Sequence, residues 1–246
     1  MKVLTCIFAF MIFACIGSFI GVCFDRIPKG EKIYKGRSHC DSCGKTLGVL
    51  ELIPIISYIS LCGKCRKCKM RISPVSTLIE LTTAVLGTLM IYIYGLTVPG
   101  IAFGLTTAVL IEITLLDYKT MEISDLACVL IALAGIVLMI LNGSYISSLI
   151  GAVSVSIPFL FMALAGGMGM GDVKLMAAVG ILLGWKQTLL AAFFGIVIGC
   201  MAALILKLRK KQGWKSEIAF GPYLCIGTFV SMSVGEQILS LYLSLL

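Results

Sequence analysis

One ten-residue stretch places four glycines ahead of a carboxylate and between two apolar runs: Gly166-Gly167-Met168-Gly169-Met170-Gly171-Asp172-Val173-Lys174-Leu175. Glycine has no Cβ, so this backbone can turn tightly and come close to another chain. An acidic residue at such a break in a membrane protein is a functional candidate, because burying a carboxylate in lipid is costly. The alternative interpretation is a turn between two helices, in which Asp172 only caps the second helix.

The composition around this stretch is that of a membrane protein. Hydrophobic residues make up 59% of the 246 residues and charged residues only 13%, whereas soluble domains carry about 25% charged residues. Apolar segments near the ~20 residues that cross a bilayer as a helix recur along the chain. We therefore predict an all-α polytopic membrane protein with about eight transmembrane helices and exclude a soluble class. The predicted spans are 3–24, 75–94, 98–116, 126–141, 146–165, 173–183, 189–206 and 218–245, of which the sixth is short.

The basic residues predict the orientation of these spans. If the N-terminus lies outside and the spans alternate, 18 of the 20 Lys and Arg residues lie on the cytoplasmic side, and only Lys2 and Lys186 lie outside. The positive-inside rule favours this arrangement. Without the short sixth span, the basic run 207–215 would lie opposite the basic loop 25–73. We predict a first transmembrane helix over 1–24, a cytoplasmic metal-binding loop domain over 25–73 and a transmembrane core over 74–246.

The cytoplasmic loop carries two Cys-x-x-Cys pairs about twenty residues apart. They are Cys40-x-x-Cys43 and, further along, either Cys62-x-x-Cys65 or Cys65-x-x-Cys68. Two such pairs supply the four thiolates of a tetrahedral structural zinc site, and a reducing cytoplasm disfavours disulfides. We predict a zinc ion here, with free or redox-active thiols as the alternative. The residues alone leave open whether Cys62 or His39 contributes a ligand.

The predicted topology places two aspartates at the cytoplasmic membrane boundary. Asp117 ends the third span and Asp172 begins the sixth. Two carboxylates held together can share a proton, so that one acts as a base toward water and the other as an acid, as in aspartic proteases. The alternative is that Asp117 is an ordinary helix-end residue and that Asp125 is the acidic partner. Asp125 follows Ser124 and precedes an apolar run, so we interpret it as a helix N-cap.

The chain resembles the bacterial type IV prepilin peptidases over nearly its whole length. Gly169-Met170-Gly171-Asp172 fits the Gly-x-Gly-Asp signature of intramembrane aspartic proteases. The other segments that resemble this family, in the same order, are 17–28, the cysteine loop, 52–58, Ile79-Glu80-Leu81, 169–185 and Phe220-Gly-Pro-Tyr223. Two positions depart from the family pattern, Ser124 where many members carry proline and Val173 where phenylalanine is usual. Neither position is a catalytic one.

The resemblance implies an inner-membrane endopeptidase that removes the short basic leader of type IV prepilins and pseudopilins. The cut would fall after a glycine on the cytoplasmic side. Asp117 and Asp172 would be the catalytic pair, and Gly169 and Gly171 would let the substrate backbone approach. The implied metal ligands are Cys40, Cys43, Cys65 and Cys68.

The resemblance also implies a second activity. Family members with the cysteine loop commonly N-methylate the new terminus with S-adenosylmethionine. No glycine-rich nucleotide motif follows a predicted strand, so the residues do not locate a methyl-donor site. The expected partners are prepilins and membrane lipid, and nucleic acid is not expected.

Two other classes of protein compete with this interpretation. A proton-coupled transporter would use Glu80, Glu112, Asp117 and Asp172 as a relay. Such a transporter predicts a repeat between the halves of the chain, and the sequence shows no repeat of useful strength. A zinc-loop assembly factor would bind pilus components without cleaving them, which leaves the glycines before Asp172 unexplained. Presenilin-like proteases share the Gly-x-Gly-Asp signature but lack the two Cys pairs.

Overall fold

Ten α-helices account for most of the residues that the structure describes. The structure is a computed structural model that describes residues 2–34, 36, 38–40, 42–210 and 219–244. The helices are α1 (Lys2–Arg26), α2 (Ile56–Ser60), α3 (Val75–Tyr94), α4 (Val98–Thr120), α5 (Asp125–Asn142), α6 (Tyr145–Ser154), α7 (Ser156–Leu164), α8 (Met170–Leu183), α9 (Trp185–Lys210) and α10 (Gly221–Ser244). Short 3-10 turns cover Ile27–Lys29 and Val49–Leu52. The described ranges contain two isolated β-bridges and no longer strand, so the predicted all-α class is confirmed.

Some residues used in the sequence argument lie outside the described residues. They are Lys35, Arg37, Lys211 and Lys215, which enter the charge count, and Ile218 and Leu245, the predicted ends of the last span.

Seven helical stretches in the described part of the chain are long and apolar enough to cross a membrane. They are Lys2–Lys29, Val75–Tyr94, Val98–Thr120, Asp125–Asn142, Tyr145–Leu164, Trp185–Ile205 and Gly221–Tyr242. Each coincides with a predicted span. The predicted sixth span is helical as well, but α8 has only 14 residues, fewer than the ~20 that cross a bilayer. Gly169 precedes α8, and Gly184, with φ +75°, ends it in a conformation that favours glycine.

The predicted fifth span is broken in its middle. Helix α6 ends at Ser154 and α7 begins at Ser156, with Val155 between them. Pro158, the third residue of α7, has no N–H to donate to the carbonyl of Ser154, and its ring crowds that carbonyl. The ladder of helical hydrogen bonds therefore stops at Val155, and a new helix starts there.

The chain divides into two compact units, Met1–Ala108 and Val109–Leu246. In the first unit, α1 packs along α3. The ring of Phe13 fills the space that side chains at Gly87 and Gly104 would occupy, because a Cβ at either glycine would lie 2.5 Å from a ring atom. Small residues at helix crossings allow this close packing where water provides no drive for association.

In the second unit, the short helix α8 lies at the centre. It packs against α5, α6, α7, α9 and α10. Leu175, Met176 and Val179 are completely buried, as expected for a helix that is apolar all round. Gly180 meets Gly151 so closely that a Cβ on Gly180 would lie 2.3 Å from the carbonyl of Gly151. This packing fixes the position of α8, whose first turn carries Asp172.

Candidate active site and metal centre

Asp172 lies in the first turn of α8, where the glycine-rich stretch becomes helical. Gly169 is the residue before the helix, and its carbonyl accepts the N–H of Asp172 at 3.2 Å. The side chain is 6% exposed, and its Oδ1 atom has no hydrogen-bond partner. The cap position of α8 is Gly169, and Asp172 is the third residue of the helix, so Asp172 is not its N-cap residue.

Asp117 lies one turn before the end of α4. Its side chain is 5% exposed, and Oδ2 accepts the backbone N–H of Gly221 at 3.0 Å. Gly221 is the first residue of α10, where the N–H groups of a helix have no partner within the helix. A Cβ at this position would lie 2.6 Å from Oδ2 of Asp117, so only glycine fits.

Both aspartates line one pocket of about 480 Å³, together with Gly169 and Gly171. The structure thus brings together the four residues that the sequence singles out for catalysis and substrate approach. Residues 121–124, the connection between α4 and α5, form another wall. Met121 in this connection has φ +54°, which is uncommon for a residue with a side chain.

Ile123 of this connection fills the space next to two glycines. A Cβ on Gly171 would lie 2.9 Å from Cβ of Ile123, and a Cβ on Gly221 would lie 3.2 Å from its Cδ1. Gly171 therefore lacks a side chain at a point where the chain itself is closely packed. Gly169 is less crowded, because its nearest neighbour is Oδ2 of Asp172, 3.4 Å from where a Cβ would be.

Asp125 forms a separate ion pair at the edge of the pocket. Its Oδ1 accepts a hydrogen bond from Nζ of Lys174 at 2.7 Å, and both side chains are largely exposed. Asp125 is the first residue of α5 and Ser124 is the cap position, so the interpretation of Asp125 as the N-cap is wrong by one residue. Its charge still suits the N-terminus of a helix.

Four cysteine sulfurs meet in the loop before α3. The Sγ atoms of Cys40, Cys43, Cys65 and Cys68 all lie within 4.8 Å of one another. Cys40 and Cys68 are 3.8 Å apart, and Cys43 and Cys65 are 4.0 Å apart. Tetrahedral zinc with Zn–S bonds of about 2.3 Å requires sulfurs about 3.8 Å apart, so this donor set fits the ion. Cys62 and His39 do not belong to this group.

The two Cys-x-x-Cys segments form matching turns. In each turn the N–H of the first cysteine donates to the carbonyl five residues on, that of Lys45 or Met70, at 2.9 Å. The carbonyl of the first cysteine accepts the N–H four residues on, from Gly44 or Lys69. Gly44 and Lys69 both have positive φ, +66° and +59°. This local repeat gives two equal halves of a four-sulfur site.

Backbone donors in the second turn stabilise a thiolate. The N–H groups of Cys68 and Lys67 lower the pKa of Cys65 to about 6. The thiolate is the form that binds a metal ion, so this turn favours metal binding at neutral pH. After the first turn, Glu51 pairs with Lys45 at 2.7 Å and accepts the N–H of Gly48 at 2.8 Å.

Two contacts were not expected from the sequence. The first is the hydrogen bond from the N–H of Gly221 to Asp117. The sequence marked Phe220-Gly-Pro-Tyr223 only as a segment that resembles the family. The sequence feature that could have indicated the contact is the Gly-Pro pair at the start of an apolar helix. The second concerns Glu80, which the transporter alternative places in a proton relay. Its Oε2 instead accepts the N–H of Ile55 at 2.8 Å.

Comparison with known protein families gives two matches that follow one another along the chain. Residues 11–94 match the Bacterial Peptidase A24 N-terminal domain, and residues 104–204 match the Type IV leader peptidase family.

Curated relatives cover most of the chain. A protein of Bacillus subtilis (strain 168) named prepilin leader peptidase/N-methyltransferase is 30% identical over 238 residues, which is 94% of each chain. Proteins of the same name from Aeromonas salmonicida (strain A449) and Pseudomonas aeruginosa are 31% and 30% identical. The match with the Aeromonas protein covers 85% of this chain and 75% of that protein. The match with the Pseudomonas protein covers 93% of this chain and 90% of that protein. No solved structure matches the chain.

Proposed function

Because this chain belongs to the type IV leader peptidase family, we propose that it cleaves the basic leader from type IV prepilins and pseudopilins. Family membership makes the chain an enzyme, and its apolar helices make it a multi-pass membrane protein. The proposed cut falls after a glycine, just ahead of the hydrophobic helix of the substrate. The named relatives support the reaction, and the pocket that holds Asp117 and Asp172 carries the proposal for its mechanism.

The two carboxylates suit a shared-proton mechanism. Both are almost fully buried in one pocket, where two like charges at close range are unfavourable and one proton held between them is favoured. An N–H donor favours the ionised form of the carboxylate that accepts it, so we assign the charge to Asp117, which accepts from Gly221. Asp172 carries the proton in this proposal, on Oδ1, which is buried and has no hydrogen-bond partner.

In the proposed reaction, Asp117 takes a proton from a water molecule as the water oxygen bonds to the scissile carbonyl carbon. Asp172 donates its proton to the carbonyl oxygen, giving a neutral tetrahedral diol. The proton on Asp117 then passes to the leaving nitrogen as the C–N bond breaks, and Asp172 recovers its proton from the diol. The aspartates end as they began, and one water is consumed.

Gly169 and Gly171 are proposed to admit the substrate backbone beside Asp172. Both line the pocket, and neither places a side chain between the aspartates and solvent. Gly169 supports the proposal more directly, since the space beside it ends at Oδ2 of Asp172. Gly171 also accommodates Ile123, so its role is partly that of packing.

We propose that Cys40, Cys43, Cys65 and Cys68 bind a structural zinc ion. Their sulfur spacing fits a tetrahedral centre, and all four positions would be filled by protein, as in structural rather than catalytic sites. The ion would cross-link the two Cys-x-x-Cys turns of loop domain 25–73. This domain would lie between the first transmembrane helix, 1–24, and the peptidase core, 74–246.

The charge distribution supports the proposed orientation in the inner membrane. With the N-terminus outside, the cysteine loop and both aspartates face the cytoplasm, where 18 of the 20 basic residues lie. This side is also where a basic leader would remain while the hydrophobic helix of the substrate lies in the bilayer.

A second proposed activity is methylation of the new N-terminus. The relatives carry N-methyltransferase in their names, and S-adenosylmethionine supplies an electrophilic methyl group for such a reaction. Mass spectrometry of the mature pilin N-terminus, with and without this protein, reports the cleavage site and the methyl group together.

The proposal is tested by immunoblot of a prepilin co-expressed with variants. Asp117→Asn and Asp172→Asn keep the side-chain volume, and each is expected to abolish the shift from precursor to mature pilin. Asp125→Asn is the control, because Asp125 is exposed and paired with Lys174. It is expected to process the prepilin at a rate within about twofold of the unsubstituted protein, since exposed pairs contribute little. Processing that persists in either dyad variant would exclude the two-aspartate mechanism.

A further inference from the structure

A second cavity, of about 350 Å³, lies in the first unit between the cysteine loop and the ends of α1 and α3. This volume falls within the range of roughly 300–1,000 Å³ that small-molecule sites occupy. Phe24 and Asp25 of α1 line one side, Glu80 of α3 lines another, and Tyr58, Arg66 and Arg71 come from the loop. The peptidase mechanism uses none of these residues.

Glu80, one of the lining residues, lies at a close crossing of α1 and α3. A Cβ on Gly17 of α1 would lie 2.8 Å from Cα of Glu80, so the two helices touch at this point. Glu80 is 8% exposed, and a carboxylate is rarely buried without a purpose. One oxygen accepts the N–H of Ile55, while the residue also lines the cavity.

Glu80 also holds a strained part of the loop. Ile55 has φ +63°, a conformation that is unusual for a β-branched side chain. Residues held in such conformations cluster at active sites and ligand-binding sites. The hydrogen bond from Ile55 to Glu80 therefore fixes the loop segment that precedes Tyr58, another residue of the cavity wall.

The lining carries both signs of charge and an aromatic ring. Asp25, Glu51 and Glu80 supply carboxylates, and Arg66 and Arg71 supply guanidinium groups. Carboxylates bind ammonium and sulfonium charges and the hydroxyls of a ribose, whereas guanidinium groups bind a carboxylate through two parallel bonds. Tyr58 adds an aromatic ring to the lining, and aromatic rings bind purines and cations. One ligand that carries all of these groups is an adenosyl sulfonium amino acid.

We propose that this cavity binds the methyl donor, S-adenosylmethionine; the inference rests on the proposed methyltransferase activity. Glu80 and Asp25 stabilise the two positive charges of the ligand, and the arginines hold its carboxylate.

The transfer balances with the groups named. The deprotonated amine of the new pilin terminus bonds to the methyl carbon while the carbon–sulfur bond breaks. The sulfur keeps the electron pair of that bond and becomes neutral, and the methylated nitrogen returns its extra proton to solvent. No oxidant or further reactant is needed.

The first test measures binding, not turnover. Purified full-length protein in detergent is titrated with S-adenosylmethionine by calorimetry at constant zinc content. Glu80→Gln keeps an oxygen that can accept the N–H of Ile55 but removes the charge. It is expected to weaken binding about tenfold or more, as expected for loss of one charged partner. The matched control is Glu31→Gln, an exposed carboxylate of the same unit outside the cavity, with unchanged affinity expected.

The second test locates the ligand without any substitution. The protein is irradiated with methyl-labelled S-adenosylmethionine and digested, and the label is expected in peptides from 18–80. Label confined to 109–246, or equal affinity of Glu80→Gln and the unsubstituted protein, would overturn the site while leaving methylation intact. No binding at millimolar ligand would overturn both the site and the methylation proposal, and prepilin cleavage would stand apart from either result.

Discussion

The backbone N–H of Gly221 donates a 3.0 Å hydrogen bond to Oδ2 of Asp117, across a sequence separation of 104 residues. This bond ties the first residue of α10 to a carboxylate on α4. A backbone donor cannot rotate away as a side chain can, so it orients the carboxylate firmly. The start of α10 is therefore part of the candidate active site.

Gly221→Ala should inactivate the peptidase without removing the hydrogen-bond donor. The new Cβ would lie 2.6 Å from Oδ2 of Asp117, and either the carboxylate or α10 must shift. A displacement near 1 Å of a catalytic group lowers the rate by about 100-fold. The measurement is the initial rate of prepilin cleavage by purified enzyme, with membrane abundance as the check on folding. Cleavage within threefold of the unsubstituted enzyme would show that Gly221 does not orient Asp117.

The glycines before Asp172 should respond differently to the same substitution. Gly171→Ala places a Cβ 2.9 Å from Ile123 and should lower cleavage at least tenfold, because the turn that carries Asp172 must move. Gly167→Ala is the matched control. Its Cβ would meet only the carbonyl of Met162 at 3.5 Å, an ordinary contact, and its φ is not positive. Equal loss in both variants would mean that flexibility of the whole stretch, and not packing against Ile123, is what matters.

The packing of Phe13 against Gly87 can be tested by a compensating pair. Gly87→Ala puts a Cβ 2.5 Å from the ring and should destabilise the protein by about 1–3 kcal/mol, as overpacking does. Phe13→Leu removes the ring and is itself expected to be destabilising through lost contacts. In the double variant the clash is absent, so its loss of stability should be smaller than the sum of the losses in the two single variants. The readout is the thermal unfolding midpoint in detergent, and simple additivity would contradict the contact.

Zinc content should distinguish Cys62 from its neighbours. Cys65→Ser is expected to lose most of the bound zinc, since one of four clustered sulfurs is removed. Cys62→Ser should retain one zinc per chain, because this exposed residue lies outside the four-sulfur group. Elemental analysis of purified protein provides the measurement. Full zinc retention in Cys65→Ser, or loss in Cys62→Ser, would require a different ligand set.

The helices could be predicted closely because their signal is local. Runs of apolar residues near 20 in length need no knowledge of distant contacts, and α3 begins and ends at its predicted residues, Val75 and Tyr94. The sequence did not predict the break at Val155, because a proline inside an apolar membrane helix is often tolerated without ending the helix. Asp125 was misplaced by one residue, since Ser and Asp are both common helix caps and the sequence does not rank them.

Candidate residues could be chosen by type and spacing, but their contacts could not. Cys65 can form a Cys-x-x-Cys pair with either Cys62 or Cys68. Only the folded loop shows that Cys68 joins the cluster and that Cys62 does not. The bond between Gly221 and Asp117 joins two helices far apart in the sequence, and no local pattern encodes such a pairing. Glu80 reads as an intramembrane carboxylate, yet its partner is a loop residue.

The length of α8 sets a condition on the bilayer. Its 14 residues extend about 21 Å, whereas the hydrocarbon core is about 30 Å thick. A helix that is ~9 Å shorter than the hydrocarbon core, and is enclosed by longer helical stretches, leaves space at one of its ends that water can enter. Asp172 lies in the first turn of α8, so the short length of this helix would give water access to a carboxylate that needs it for hydrolysis. A water-filled recess at the start of α8 would also let a peptide bond at the end of a substrate helix become wet while the rest of that helix stays in lipid.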